Sequence, residues 1–210
     1  MTTRSNPNPT IDLTERPFTV RFSKHDSADR TELERFIGDL FRQSYDAEIK
    51  RFKPYLMGLR DHEDKLIAAC GLQSAATERL SLEIFLDKPI EDVLSEHIGA
   101  PVKRGDIVEI GNFSVNESGM ARYLITAIND QLHFTSKQWA VLAAVPAFRD
   151  ACIDMGINPE TLVTADINRL PMEDRGEWGN YFAQHPQVIA IRRIERRNKT
   201  RITEPGSSPR

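Results

Sequence analysis

The sequence lacks most of what marks a secreted, membrane-spanning or nucleic-acid-binding protein. It has two cysteines in 210 residues, too few for a disulfide framework or a cysteine metal site. Both, Cys70 and Cys152, lie in apolar surroundings and read as small buried hydrophobes. No apolar run approaches the roughly 20 residues that cross a bilayer. Residues 1–10 contain no apolar core, so no signal peptide is expected, and the cytoplasm is the expected location. A formal net charge of −3 gives no reason to expect a nucleic-acid partner. His62 stands in a polar turn with no metal-ligand spacing around it, and no metal is expected. There is no internal repeat. What is present is ordinary for a globular chain: 40% hydrophobic and 28% charged residues.

The chain reads as one domain over residues 16–194 with two loose tails. Residues 1–15 are polar and proline-rich. Residues 195–210 are basic and then Gly/Ser/Pro-rich, and both ends are expected to be disordered. Phe18 to Phe22 alternates as a strand. Leu33, Phe36, Ile37, Leu40 and Phe41 recur at helical spacing within Ser27 to Ile49, with Ser27 or Asp29 as the cap. Tyr55 to Arg60 and Leu66 to Leu72 form a hairpin around the polar turn 61–65. Leu80 to Leu86 is an apolar run interrupted by Glu83. A short helix over 87–100 follows it and ends at Gly99.

Asp106 to Val115 reads as a strand with a carboxylate, Glu109, inside it. Gly111 predicts a bulge, which would shift the face of every later residue. A helix over 120–134, a two-sided apolar strand over 139–145 and a helix opened by Pro146 come next. That succession argues for a parallel strand pair with a right-handed crossover. Short strands at 161–165 and 188–192 complete the chain, on either side of a mixed segment containing Trp178 and Tyr181. The junction from Asn116 to Arg122 presents unpaired N–H groups and a positive dipole end at a helix start, which suits phosphate. Packing alone also produces such junctions.

The order of strand, helix, hairpin, bulged strand, glycine-turn helix, strand and helix resembles the GNAT superfamily of N-acetyltransferases. That superfamily binds the coenzyme A pyrophosphate at Arg/Gln-x-x-Gly-x-Gly/Ala. Here Asn116-Glu-Ser-Gly-Met-Ala121 occupies that place: Gly119 and Ala121 match, and Asn116 replaces the usual Arg or Gln, with Arg122 as a substitute. More specifically, the chain is similar to the bacterial thermostable hemolysin family from about Pro17 to Ile194. The similarity is carried by Tyr55-Leu-Met-Gly-Leu-Arg-Asp61, Leu66 to Gln73, Leu82 to Glu91, Asp106 to Asn112 and Trp178-Gly-Asn-Tyr181. The resemblance implies an α/β (α+β) GNAT-like fold, a mixed central sheet with helices on both faces, related to acyl-homoserine-lactone synthases.

The family's name implies lysis and its fold implies acyl transfer. Membrane insertion needs long alternating strands or a strongly amphipathic basic helix, and the chain has neither. The expected function is therefore transfer of an acyl group from acyl-CoA or an acyl carrier protein to a small-molecule amine. A cytolytic factor and a non-catalytic acyl-CoA-binding module are the alternatives. In that reading the backbone of Phe113, Ser114 and Val115 holds the pantetheine arm like an added strand. Asn116, Glu117, Ser118, Gly119, Met120, Ala121 and Arg122 hold the phosphates. Glu109 is the first candidate base and Glu83 the second, and Tyr181 would return a proton to the thiolate. Asp87, Asn112 and Trp178 would contact the amine substrate. Each has a plainer alternative: Glu109 paired with Arg104 or Arg60, Glu83 at the edge of a connecting helix, Trp178 and Tyr181 in the core. The basic tail would dock an acidic carrier protein or an anionic membrane, or simply be solvated.

Overall fold

The structure, a computed structural model, describes residues 18–194; both predicted tails lie outside the described residues. Among the described residues, seven strands form one mixed sheet in the order β1-β2-β3-β4-β5-β7-β6. They are β1 (Thr19–Ser23), β2 (Tyr55–Arg60), β3 (Leu66–Ser74), β4 (Ile107–Val115), β5 (Trp139–Ala144), β6 (Glu160–Thr164) and β7 (Gln187–Arg192). Only β4 and β5 pair in parallel; the other neighbours are antiparallel. The crossover between them is α3 (Ala121–Phe134), followed after β5 by α4 (Pro146–Asp154). Pro146 takes the first helical turn, where its missing N–H costs nothing, and Gly156 at φ 75° turns the chain away.

Helices cover both faces, two on each. Leu124 and Ile128 of α3 and Phe148 and Cys152 of α4 pack on Met57, Cys70, Ile110 and Leu142. On the opposite face α1 (Arg30–Tyr45) lays Leu33, Ile37 and Phe41, one residue per turn, on Leu56, Leu66 and Ala69. Beside it α2 (Ile90–Ile98) lays Ile90 and Leu94 on Ile107, Trp139 and Val141. Both cysteines are core residues; burial pushes both thiols up, Cys152 to about 12, so neither is a thiolate. Among the described residues no helix is long and apolar enough to cross a membrane.

Two expectations need correction, and the run from Leu80 to Leu86, which the sequence leaves without an assigned element, takes a definite form. The first helix is shorter than Ser27 to Ile49; Asp29 stands at its N-cap position, but neither candidate's side chain makes the capping bond. Asp29 makes no cap bond, and the Ser27 hydroxyl instead accepts the Lys24 N–H at 2.8 Å. Leu80 to Leu86 is a 3-10 turn (Ser81–Phe85), because the Glu83 carboxylate gathers the N–H groups of Leu80 and Ile90 and folds the run back on itself. The β4 bulge falls next to Gly111 and not on it. Between Ala69 and Gly71 β3 advances two residues while β4 runs three, from Ser114 to Gly111, and Asn112 takes φ 52°. Its consequence is the predicted one: Ile107 faces α2, whereas Phe113 and Val115, beyond the bulge, face α3 and α4.

Candidate active site

β4 and β5 pair only from Ile107 to Glu109, opposite Trp139 to Val141. Beyond that point β4 runs on for six residues to Val115 and β5 for three to Ala144, with no pairing between them. The sheet is therefore split, and Glu109 stands at the vertex. The Gln138 carbonyl accepts the Arg193 N–H on the β7 side. Alternation then turns the carbonyls of Trp139, Val141 and Ala143 toward β4. Ala143 is the first of these past the last pair. Its carbonyl accepts the Tyr181 hydroxyl at 2.9 Å. Burial, with Tyr45 nearby, pushes that hydroxyl well above the usual phenol range, so it stays a proton donor.

Glu109 is 4% exposed. An isolated carboxylate there would cost several kcal/mol, and its partner is neither Arg104 nor Arg60. It is Lys53, whose Nζ lies 2.6 Å from Oε1. The Leu82 N–H also reaches Oε1, at 3.1 Å, and the Ser81 N–H reaches Oε2 at 2.8 Å. A carboxylate offers about four acceptor positions, so three are filled and one on Oε2 is left. The Lys53 ammonium donates further to Ser81 Oγ at 2.8 Å and Gln73 Oε1 at 3.4 Å. Burial holds the Lys53 pKa below the usual lysine range, against the pull of Glu109.

Glu83 has a different job. Its oxygens take the Leu80 and Ile90 N–H groups and two N–H groups of Arg104, filling all four positions. Burial raises the carboxyl, but Arg104 and the two amides outweigh it and hold the pKa at about 2, against a usual 4.5. With no lone pair free, Glu83 cannot be a base; it pins the 3-10 turn to the start of α2. A carboxyl depressed in this way stabilises the fold above pH 4.5 and loses that stabilisation as the pH falls toward 2. We expect about 3 kcal/mol of unfolding free energy to disappear between those values. Glu83→Gln should be less stable at pH 7 and should lack most of this acid dependence in denaturant titrations.

Of the residues expected to contact the amine, Asp87 and Asn112 have partners within the chain and Trp178 lies among aromatic rings. Asp87 has an exposed side chain that accepts from Arg169 at 2.7 Å. Asn112 spends its side chain on the chain before β2: Oδ1 accepts the Lys53 N–H at 3.2 Å and Nδ2 donates to the Arg51 carbonyl at 3.3 Å. Trp178 lies against Tyr181 and Phe182, with ring centroids 5.5 and 5.7 Å away. Its Nε1–H is buried and meets no acceptor among the described residues. Gly179 brings this segment onto the end of α1. The Asn180 N–H donates to Tyr45 O at 2.8 Å and the Glu48 N–H to Glu177 O at 2.8 Å.

At the far end of β4 the Phe113 ring turns onto Phe148 and the Ser114 side chain is buried, so only their backbones face the split. Val115 is half-buried, and the Asn116 N–H is held by Ile67 O at 3.1 Å. Asn116 and Glu117 have exposed side chains. Arg122 lies over the Tyr123 ring at 4.8 Å. Gly119 has open space where a Cβ would stand and no positive φ, so the fold itself does not require glycine there. No side chain caps α3 at Met120–Ala121, although the Met120 N–H itself donates to the Glu117 carbonyl at 2.9 Å; an uncapped helix start of this kind suits an anion. Among the described residues no cluster of His, Cys, Asp or Glu could hold a metal ion.

A split mixed sheet with a bulged strand leading into an uncapped helix is the GNAT-like α/β fold. Solved structures share it. The acyl-homoserine-lactone synthase LasI aligns over 84% of this chain and 90% of its own, with TM-score 0.56 and 11% identity. The CoA-dependent acyl-homoserine-lactone synthase BjaI, solved with SAM and isopentyl-CoA, aligns over 85% and 84%, with TM-score 0.55 and 8% identity. FeeM, an N-acyl amino acid synthase from uncultured soil microbes, aligns over 86% and 91%, with TM-score 0.51 and 12% identity. The thermostable hemolysin family profile matches residues 23–196, and the chain belongs to that family. No curated protein matches it.

Proposed function

We propose that this chain is an acyltransferase, moving an acyl group from a thioester donor to the amine of a small molecule. The observation that carries the reading is the split between β4 and β5, with the Glu109 carboxylate at its vertex and the Tyr181 hydroxyl on the first β5 carbonyl inside it. A thioester arm laid along Phe113–Val115 would bring its carbonyl toward the vertex. The amine nitrogen attacks that carbonyl, a C–N bond forms and the C–S bond breaks. The amine proton passes to the free position on Glu109 Oε2, directly or through one water, and the departing thiolate takes a proton from Tyr181. The phosphates of coenzyme A would meet the N–H groups of residues 117–122, where Gly119 leaves room.

BjaI was solved with isopentyl-CoA, which supports an acyl-CoA donor here, and FeeM is an N-acyl amino acid synthase, which supports an amine or amino-acid acceptor. An acyl carrier protein is the second donor to test. The orphan Trp178 Nε1–H favours an acceptor that carries a hydrogen-bond acceptor group, such as a carboxylate. We further infer a single domain over 16–194 working in the cytoplasm.

Thermal-shift titration with acetyl-CoA and with a long-chain acyl-CoA, followed by release of free thiol in the presence of an amine panel, tests the reading. A shift with turnover is expected, and Glu109→Gln should lower turnover by roughly 100-fold or more. A shift with no turnover across the panel points to a binding module. No shift, with lysis by the purified protein, points to a cytolysin. Unchanged turnover in Glu109→Gln removes Glu109 as the base.

A further inference from the structure

Lys53 was silent in the sequence. It lies between α1 and β2, with no regular structure around it and nothing to separate it from its neighbours Lys50 and Arg51. Yet it is 8% exposed, and its stem crosses the sheet over a pair of glycines. Gly71 and Gly111 face each other across β3 and β4. A Cβ on Gly71 would stand 2.6 Å from both Cβ and Cγ of Lys53, and one on Gly111 would stand 2.6 Å from Cε. Glycine at both positions opens the channel through which the ammonium reaches the vertex. There its three N–H donors go to Glu109, Ser81 and Gln73. The bulge residue Asn112 fixes the Lys53 backbone at the other end.

We propose that Lys53 is a positioning residue for the acyl transfer, acting through Glu109: it holds one carboxylate oxygen in place so that the free position on the other faces the incoming amine. This rests on the acyltransferase reading above. Lys53 does not touch substrate. Its ammonium and the Leu82 N–H fill Oε1, leaving Oε2 with one bond from Ser81 and one vacancy. Without the ammonium, Oε1 also has a vacancy and the carboxylate no longer has one preferred direction.

The test measures kcat and the thioester KM separately, using octanoyl-CoA and the best amine of the panel. Lys53→Met, which keeps the stem and removes the charge, should lower kcat at least 30-fold and leave the thioester KM within twofold. Lys53→Arg should recover kcat to within tenfold of the parent. A general loosening of the fold would move both constants and would not respond to which cation stands at 53. If Lys53→Met is unfolded, Gly111→Ala decides, because its Cβ displaces Cε while the charge remains; it should show the same split. A folded variant with parental kcat overturns the proposal and leaves acyl transfer standing. A parent protein that turns over no thioester with any amine overturns both, and the two failures are told apart by the parent alone.

Discussion

Gly179→Ala is expected to destabilise the fold by about 4 kcal/mol or more, and to lower the melting temperature by about 10 °C. Gly179 has φ 49° and ψ −123°, a region that residues with a Cβ avoid. An added methyl would also overlap the carbonyl oxygens of Tyr45 and Asp46 and stand 2.6 Å from the Asp46 carbonyl carbon. Those are backbone atoms at the end of α1, so no side-chain rotation relieves the overlap. The Asn180 N–H bond to Tyr45 O and the Glu48 N–H bond to Glu177 O would stretch with it. The same segment carries Tyr181, whose hydroxyl sits on the Ala143 carbonyl in the split, so turnover should fall even where the protein remains folded. Gly105→Ala and Gly176→Ala are the controls. Neither has a positive φ or any atom within 4 Å of an added Cβ, and each should stay within about 0.5 kcal/mol of the parent in urea titrations.

That glycine also marks how far the sequence could be read. Elements whose signal is local were legible. The β2–β3 hairpin follows from two short apolar runs around a polar turn, and α4 follows from Pro146 and Gly156. Glu109 stood out because a carboxylate in an apolar strand must have a partner. Which partner could not be read, because the Lys53–Glu109 contact depends on the register of β3 against β4. That register depends on a one-residue bulge whose position is set by Asn112 bonding to the chain before β2. The 80–86 run carried no sign that the Glu83 and Glu109 carboxylates would take its amides. Asp87 looked available to a cationic substrate only because Arg169 is remote in sequence. Gly71, Gly111 and Gly179 were visible as letters; the contacts that make them necessary are all tertiary.

The buried pair at the vertex should show a large coupling in a double-mutant cycle, and the sign of that coupling separates two reasons for its existence. Lys53→Met alone leaves Glu109 buried without its cation, and we expect a loss of about 3–5 kcal/mol in unfolding free energy. Glu109→Gln alone leaves the ammonium with a neutral acceptor and the Ser81 and Leu82 amides with a weaker one; a loss of about 2–3 kcal/mol is expected. The double variant has no buried charge, keeps an amide oxygen for the backbone donors and fills the glycine channel with a thioether stem. It should lie within about 2 kcal/mol of the parent, so the single effects fail to add by about 3 kcal/mol or more. Equilibrium urea unfolding of the four proteins measures this directly. Additive losses would mean that the two groups are not paired in solution. The expected result carries a further consequence. If a neutral pair holds the fold nearly as well, stability does not account for a lysine, a glutamate and two facing glycines at the vertex of the split. A double variant that folds well and transfers no acyl group would leave the reaction as the reason for the pair, since the charge would then be needed for turnover and not for folding.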